Sequence, residues 1–581
     1  MGKNEGFASL LNALNQAQQK PVLEGDGPVL VLAGAGSGKT RVLTNRIAYL
    51  LHKKQATPES ILAVTFTNKA AKEMRERLER IIGYNLVHCW IGTFHSLGAR
   101  ILRREAQFTG LQSSFNIYDE DDRLKCMKLI LDEKNIATEK IQPKLAAYKI
   151  SNAKNAFLTA PDYKNFHKET EFERYIAEIY VRYQEMMRQN NAVDFDDLLM
   201  LPVLLFQDHA EILTFYQNKF SHLLVDEYQD TNRAQYLLLQ LLAGKHKNLF
   251  VVGDDDQSIY RWRGADLRNI LEFEKDYPDC KIFRMEQNYR STKNILAAAH
   301  SVIVNNMGRH SKKLWSDKPA GAKIQLLEAA SDRGEAEFVV ENIQSEFQLG
   351  KRQCRDFSIL YRTNAQSRAL EDALRRNGIA YVIVGGIRFY ERKEVKDILA
   401  YFRVVANPLD TISLARIINY PLRGIGEATL AKLRQHALVG QKPLFKVLAD
   451  ADKVSGVGER VAKAVKEFHK FIDTYISLKD RLSLTEMANS LVEEIGILQK
   501  YKLEGTPDAL SRIENIRELL NAIHEYTQAN VQATLDGFLE QVSLISDIDS
   551  WEDRSNAVTL MTLHSAKGLE FSVVFICGLE E

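Results

Sequence analysis

Five apolar residues, Val-Leu-Val-Leu-Ala (29–33), run directly into Gly-Ala-Gly-Ser-Gly-Lys-Thr (34–40). No other feature of the chain restricts its fold as much. A strand-length apolar run without polar alternation needs cover on both faces, as in a parallel sheet. Gly34, Gly36 and Gly38 let backbone N–H groups close around an anion where a helix begins. In this frame Lys39 reaches the β- and γ-phosphates, and the Thr40 hydroxyl ligates Mg²⁺. The match to a phosphate loop is complete except at Ala33, where the strict pattern has Gly. The plainer reading, a glycine-rich turn that merely enters a helix, does not call for strand, loop, Gly-Lys-Thr and helix in that order.

Further runs of the same kind follow: ILAVTF (61–66), HLLVDE (222–227), LFVVGD (249–254) and KIFRME (281–286). Helical patterns such as KAAKEMRERLERII (69–82) separate them. The pattern predicts an α/β doubly wound sheet with ligands at the C-terminal strand ends. A second series, KIQLLEA (323–329), FSILYRT (357–363), YVIVGG (381–386), AVTLMTL (557–563) and SVVFICG (572–578), predicts a second such sheet. The stretches near 108–195 and 387–553 read as mostly helical. The expected plan is therefore two α/β parallel-sheet P-loop cores, each carrying a mostly helical insertion subdomain. Residues 1–107 and 196–285 form the first core, with 108–195 inserted; 286–386 and 554–581 form the second, with 387–553 inserted.

Lys plus Arg (77) nearly equals Asp plus Glu (76), so any bound polyanion must be held by a local groove rather than by a global field. The five cysteines are scattered without a CxxC pair, which argues against zinc, iron–sulfur clusters and disulfides and suits a reducing, cytoplasmic setting. No apolar run is long enough to span a bilayer, and MGKNEGFASLLNAL (1–14) has no signal-peptide core, so no membrane partner is expected.

A phosphate loop needs a carboxylate on a neighbouring strand. HLLVDEYQD supplies Asp226 for the Mg²⁺ shell and Glu227 to orient or deprotonate the attacking water. Either residue alone could be an acidic helix start, but the pair beside a phosphate loop does not suit that reading. VVGDDDQSIYRWRGAD (251–266) then places three aspartates after a strand and follows them with an aromatic-basic run. Single-stranded nucleic acid is gripped by stacking aromatics and basic backbone contacts. Phe66 with Asn68, Tyr260, Trp262 with Arg263, Arg362 with Asn364, and His95 stand where such a track would run. Phe66 taken alone reads as core, whereas Trp262 between two arginines is harder to bury.

With these residues in place the chain resembles the superfamily 1 DNA helicases of the UvrD/Rep/PcrA type, and its wording in 257–292 is closer to the PcrA and UvrD branch. The resemblance rests on LNQAQQKPV (14–22), AGAGSGKT, TFTNKAA (65–71), GTFHS (92–96), VDEYQDTN (225–232), GDDDQSIYRWRGA (253–265), EQNYRST (286–292) and VTLMTLHSAKGLEF (558–571), in that order. It implies two RecA-like cores, ATP and Mg²⁺ as cofactors, and contacts to ATP from Ala33, Gly34, Ala35, Gly36, Ser37, Gly38, Lys39, Thr40 and Arg41. It further implies that Gln18 reads the adenine edge, Tyr289 stacks on the adenine, Arg290 reaches the γ-phosphate from the second core, and Glu570 meets the ribose. Gln257 is assigned to sensing the γ-phosphate and Trp262 to touching a base, with His564 and Phe195 beside the DNA track.

The implied activity is that of an ATP-dependent translocase and helicase on single-stranded DNA and single-strand/duplex junctions, moving 3′ to 5′ by analogy, as a monomer or weak dimer in the cytoplasm. An accessory repair or replication protein is the expected protein partner. YPLRGIGEATLAKL (420–433) and SGVGERVAKAV (455–465) repeat a Gly-x-Gly turn before a helix, which suits either duplex phosphate or simple helix entry. The family normally carries a later arginine motif beyond GLEF, so turnover by this chain is expected to be impaired and SVVFICG to form a poorly covered edge. The competing readings are the motor part of a recombination helicase–nuclease, and a translocase that mainly strips proteins from DNA. An RNA substrate is a weaker alternative, since no residue reads a 2′-hydroxyl explicitly.

Overall fold

The computed structural model describes residues 11–580, except 84, 85, 87, 168, 351, 386–388, 531 and 546–555. The N-terminal decapeptide and the insertion boundaries at 386/387 and 553/554 lie outside these residues.

Strand β1 (Val29–Ala33) is buried along its whole length. Its neighbours are β7 (Leu249–Gly253) and β8 (Lys281–Met285), both parallel to it. The sheet continues from β7 through β6 (His222–Val225) and β2 (Ile61–Thr65) to β3 (Trp90–Thr93), giving the order β3-β2-β6-β7-β1-β8. All pairings are parallel, as unalternating Val/Leu/Ile strands with helices between them require. The helix Lys39–His52 starts at Gly38, which holds the left-handed conformation at φ 90°. The helix Asn68–Ile82 starts at Thr67, whose hydroxyl accepts from the Ala70 N–H, and ends at left-handed Gly83. The order brings the C-terminal ends of β1, β2, β6, β7 and β8 to one edge, where the site forms.

A second parallel sheet has the order β10-β11-β9-β12, from β9 (Phe357–Tyr361), β10 (Tyr381–Ile383), β11 (Val558–Thr562) and β12 (Val573–Ile576). Strand β12 lies at its edge, with Val574 and Ile576 about half exposed. One expectation fails here: KIQLLEA (323–329) is not a strand. Ile324, Leu326 and Leu327 are exposed, and the backbone joins neither sheet. An apolar run is only half of a strand signal, because the hydrogen-bonding neighbour must come from elsewhere.

The backbone packs as two units, one of 1–97, 206–386 and 545–581 and the other of 98–205 and 387–544. Both sheets belong to the first. The second is mostly helical but also holds a short parallel pair, β4 (Asn116–Tyr118) with β5 (Ala192–Asp194). Strands of three residues are too short for periodicity to reveal. Within this unit Asp410, fully buried, accepts from Tyr118 Oη at 2.6 Å, Asn116 Nδ2 at 2.8 Å and Ser413 Oγ at 2.6 Å. Arg403 pairs with Asp122 at 2.7 Å and Lys396 with Asp119 at 2.8 Å, so the two chain segments share charged as well as apolar contacts. Lys154 is buried between Asp194 and Asp197, 2.8 Å from each.

Among the described residues no single helix is long and apolar enough to cross a membrane. The cysteines are free thiols.

Candidate functional site: a phosphate loop facing an aromatic-basic cluster

Three carbonyls of the phosphate loop are tied from outside. Ala35 O accepts from Asn288 Nδ2 at 2.6 Å, Gly36 O from the Tyr289 N–H at 2.9 Å, and Ser37 O from Gln18 Nε2 at 2.8 Å. Gly36 stands at φ 63°, and a Cβ there would lie 2.7 Å from Asn288 Nδ2 and 2.8 Å from Arg290 Cβ. Gly36→Ala is therefore expected to weaken nucleotide binding by about 10-fold or more, since left-handed strain costs about 1–3 kcal/mol before any clash. Titration calorimetry with a non-hydrolysable nucleotide checks this, and unchanged affinity would refute the close approach.

Behind the loop, Thr40 Oγ1 donates to Asp226 Oδ2 at 2.8 Å. Burial pushes the Asp226 carboxyl up to about 6, helped by the adjacent charge of Glu227. Burial also raises Glu227, but Lys39 and Lys567 outweigh it and hold this carboxyl below its ordinary range. Lys39 Nζ is 4.0 Å from Glu227 Oε1, and Lys567 Nζ is 3.7 Å from Oε2. A hydroxyl and a buried carboxylate of raised pKa, side by side, fit a hard cation, which would relieve the repulsion between the two acids.

The carboxylates of the three aspartates after β7 meet groups of the 309–312 segment, and Asp254 also holds Gln257. Lys312, buried, reaches Asp254 at 2.6 Å, bonds Asp255, and lies 3.5 Å from Asp256. Arg309 grips Asp256 through two bonds of 2.6 Å, and the His310 N–H donates to Asp255 at 2.7 Å. Asp254 Oδ2 accepts from Gln257 Nε2 at 2.7 Å. These bonds fasten the chain after 303 onto the first sheet.

The segment 286–316 packs beside the phosphate loop. It clasps the phosphate loop through Asn288 and Tyr289, and Trp315 pairs with Gln287 beyond β8. Arg290 thus stands on the first-sheet side, and its Nε donates to Glu570 Oε2 at 2.8 Å. Glu570 follows β11, so this ion pair joins the two sheets. Tyr289 is 43% exposed, with its hydroxyl on Gln287 at 2.8 Å, which leaves ring surface for stacking. Gln18 is 1% exposed, and its carboxamide braces the loop at Ser37 while accepting from the Asn15 N–H at 3.2 Å. Arg41 donates to Ala13 O at 2.8 Å. Both residues are thus engaged inside the chain.

Of the expected DNA residues, five converge. Trp262 is 57% exposed, Arg263 lies 4.7 Å from its ring, and His564 packs on it edge-on at 6.1 Å. Tyr260 approaches the same histidine, 6.4 Å between rings, and Arg362 Nη1 lies 3.1 Å from His564 Nδ1. Burial, then Arg362 and Arg263, lower the His564 pKa. His95 is driven down to about 4 by burial and then by Arg263. Phe66 packs edge-on to Phe94 at 5.8 Å, and Asn68 opens its helix beside it. Asn364 is exposed, with its amide on Gly385 O at 3.0 Å. Phe195 belongs to the other unit, partly buried against the cluster that contains Leu198.

Sequence reasoning missed Lys567, Asn288, Lys312 and Gln229. Lys567 bonds Asp230, donates to Gln257 O at 2.8 Å and lies 5.3 Å from the Tyr260 ring. It sits inside the HSAKGLEF run, and a lone cation facing a carboxylate pair was the signal available. Lys312 had none.

A parallel sheet with this loop, a carboxylate pair at the end of β6 with β7 between it and β1, and a second sheet reaching the same edge defines a P-loop nucleoside-triphosphate hydrolase with paired RecA-like cores. Residues 14–278 match the model of the UvrD/REP helicase N-terminal domain, and 283–581 that of the UvrD-like helicase C-terminal domain. The chain is 47% identical over 578 residues to the ATP-dependent DNA helicase PcrA of Bacillus subtilis, covering 98% of this chain and 78% of that one. It is 46% identical over 579 residues to the PcrA proteins of Staphylococcus aureus (strain Mu50) and Staphylococcus epidermidis, covering 99% of this chain and 78% of theirs. The chain belongs to the UvrD/Rep helicase family, on its PcrA branch.

Proposed function

We propose that this protein is an ATP-dependent DNA helicase that translocates along single-stranded DNA, 3′ to 5′, and separates duplex at the junction ahead. The observation that carries the reading is the turn after β11. Its Lys567 touches Glu227 and the Gln257 carbonyl, and its His564 meets Trp262, Tyr260 and Arg362. One short segment of the second sheet thus contacts both the phosphate site and the aromatic cluster, which is what coupling of hydrolysis to DNA requires.

In this reading Lys39 and the loop amides hold the triphosphate, Arg290 reaches the γ-phosphate, Tyr289 stacks on the adenine, and Glu570 meets the ribose. Thr40 and Asp226 would hold Mg²⁺, which would offset the charge of the phosphates. Glu227 orients the attacking water and takes its proton. Gln257 senses the γ-phosphate; its amide rests on Asp254 and its carbonyl on Lys567. Closure onto ATP strengthens the contacts of Arg290 and Lys567, and their release after hydrolysis loosens the DNA grip. The four-part division into two cores and two insertions belongs to the same proposal.

Trp262→Ala should cost about 1–3 kcal/mol of affinity for single-stranded DNA, the usual value of one stacked base. Fluorescence anisotropy with labelled oligothymidine measures it, and wild-type affinity would remove Trp262 from the track. The function is tested by ATPase and strand separation on 3′-tailed and 5′-tailed duplexes, with Lys39→Ala as the inactive control. Unwinding of the 3′-tailed substrate alone is expected. A preference for 5′ tails refutes the polarity, and ATPase indifferent to DNA refutes the motor.

A further inference from the structure

Gln229 is fully buried and touches both halves of the machinery. Its Oε1 accepts from the backbone N–H of Asp254 at 2.9 Å. Because a backbone N–H only donates, the atom it meets is the amide oxygen, which fixes the flip of the carboxamide. The Nε2 end therefore faces acids, and it donates to Glu227 Oε2 at 2.6 Å with Asp230 Oδ2 at 3.3 Å. Gly253 makes room for this arrangement, since a Cβ there would lie 2.7 Å from Gln229 Oε1. Glu227 itself stands at φ 53°, a left-handed conformation that a non-glycine residue holds only when its surroundings insist. Of its side-chain neighbours the Gln229 amide is the nearest; the two lysines stand at 3.7 and 4.0 Å.

We infer that Gln229 is a positioning residue for Glu227, holding one carboxylate oxygen so that the other is turned to the substrate, and registering Glu227 to the Asp254–Gln257 loop. This rests on the reading of Glu227 as the carboxylate that acts on the attacking water. The same side chain spans the end of β6 and the end of β7, so a shift of the loop at Asp254 reaches Glu227 through a single carboxamide. Oε2 is occupied by the amide, and Oε1 remains on the Lys39 side, where the phosphates would lie.

The test separates this role from simple bracing. Gln229→Glu keeps an acceptor for the Asp254 N–H but presents an oxygen to Glu227. Gln229→Met keeps the length, adds no charge and donates to nothing. Both are expected to lower kcat for DNA-stimulated ATP hydrolysis by about 10-fold or more, the scale on which small misplacements act. KM for ATP and affinity for single-stranded DNA should stay within about twofold of the unsubstituted chain, because binding of neither ligand uses this contact. In a Glu227→Gln background, adding Gln229→Met should change kcat by less than about twofold, since the two side chains act as one. Full turnover by Gln229→Glu or by folded Gln229→Met, with Glu227→Gln inactive, overturns the inference. So does an additive loss in the double variant, or a Gln229→Met chain that cannot fold, which makes the residue structural. Full turnover by Glu227→Gln overturns instead the reading of Glu227 beneath it.

Discussion

Glu227→Gln lowers DNA-stimulated ATP hydrolysis by about 10²- to 10⁴-fold, the range expected when a positioned base is removed, while ATP and single-stranded DNA still bind. The replacement is nearly isosteric, and its amide oxygen can still accept from Gln229 Nε2, so the left-handed backbone at 227 keeps its support. What disappears is the charge that Lys39 and Lys567 face at 4.0 and 3.7 Å. Lys39 keeps its phosphate partners, so affinity holds while chemistry fails. That combination distinguishes Glu227→Gln from Lys39→Ala, which should lose both. Measurement needs a coupled ATPase assay with and without oligothymidine, and equilibrium binding of a non-hydrolysable analogue. A turnover within about 10-fold of the parent would mean that another group handles the water.

The largest loss of stability is expected in the helical unit. Lys154→Met strands Asp194 and Asp197, whose side chains are 0% and 2% exposed, without their cation. Removing one partner of a buried ion cluster costs about 3–5 kcal/mol, because the remaining charge keeps its desolvation penalty. Tyr183 and Arg123 also lean on Asp194, at 2.9 and 3.8 Å, but neither reaches Asp197 within the same bond network. Urea unfolding followed by circular dichroism gives the loss. Adding Asp194→Asn and Asp197→Asn to Lys154→Met should recover most of it, since neutral amides bury more cheaply than carboxylates. A loss below about 1 kcal/mol would place the cluster in the class of solvated surface pairs and refute the account.

The parts of this molecule that could be read from the sequence are those encoded over short spans. VLVLA followed by Gly-Ala-Gly-Ser-Gly-Lys-Thr specifies strand, anion loop and helix within a dozen residues, and the structure builds each of them. Asp226 and the cluster around Trp262 were legible because their residue types are costly to place without a purpose. The roles of Asp254, Asp255 and Asp256 were not, because their partners Arg309, His310 and Lys312 lie more than 50 residues away. A carboxylate looks the same in sequence whether it meets a metal or a lysine. KIQLLEA shows the converse failure: its apolar pattern is that of a strand, but the structure offers it no neighbour. Asp410 and its bonds to Tyr118 and Asn116 span almost 300 residues, beyond any local pattern.

The outside ties on Ala35, Gly36 and Ser37 bear on the thermodynamics of binding. In a trans peptide the C=O of one residue and the N–H of the next point in opposite directions. Drawing the Ala35 and Ser37 carbonyls toward Asn288 and Gln18 therefore turns the N–H groups of Gly36 and Gly38 the other way, toward the interior of the loop. The anion receptor is assembled when the chain folds, so the rotational entropy of its peptide planes is lost then and not at each encounter with a nucleotide. Binding should accordingly carry little of the heat-capacity signature of coupled folding. Substitutions at Asn288 or Gln18, which need touch no phosphate, should weaken affinity by letting the empty loop relax.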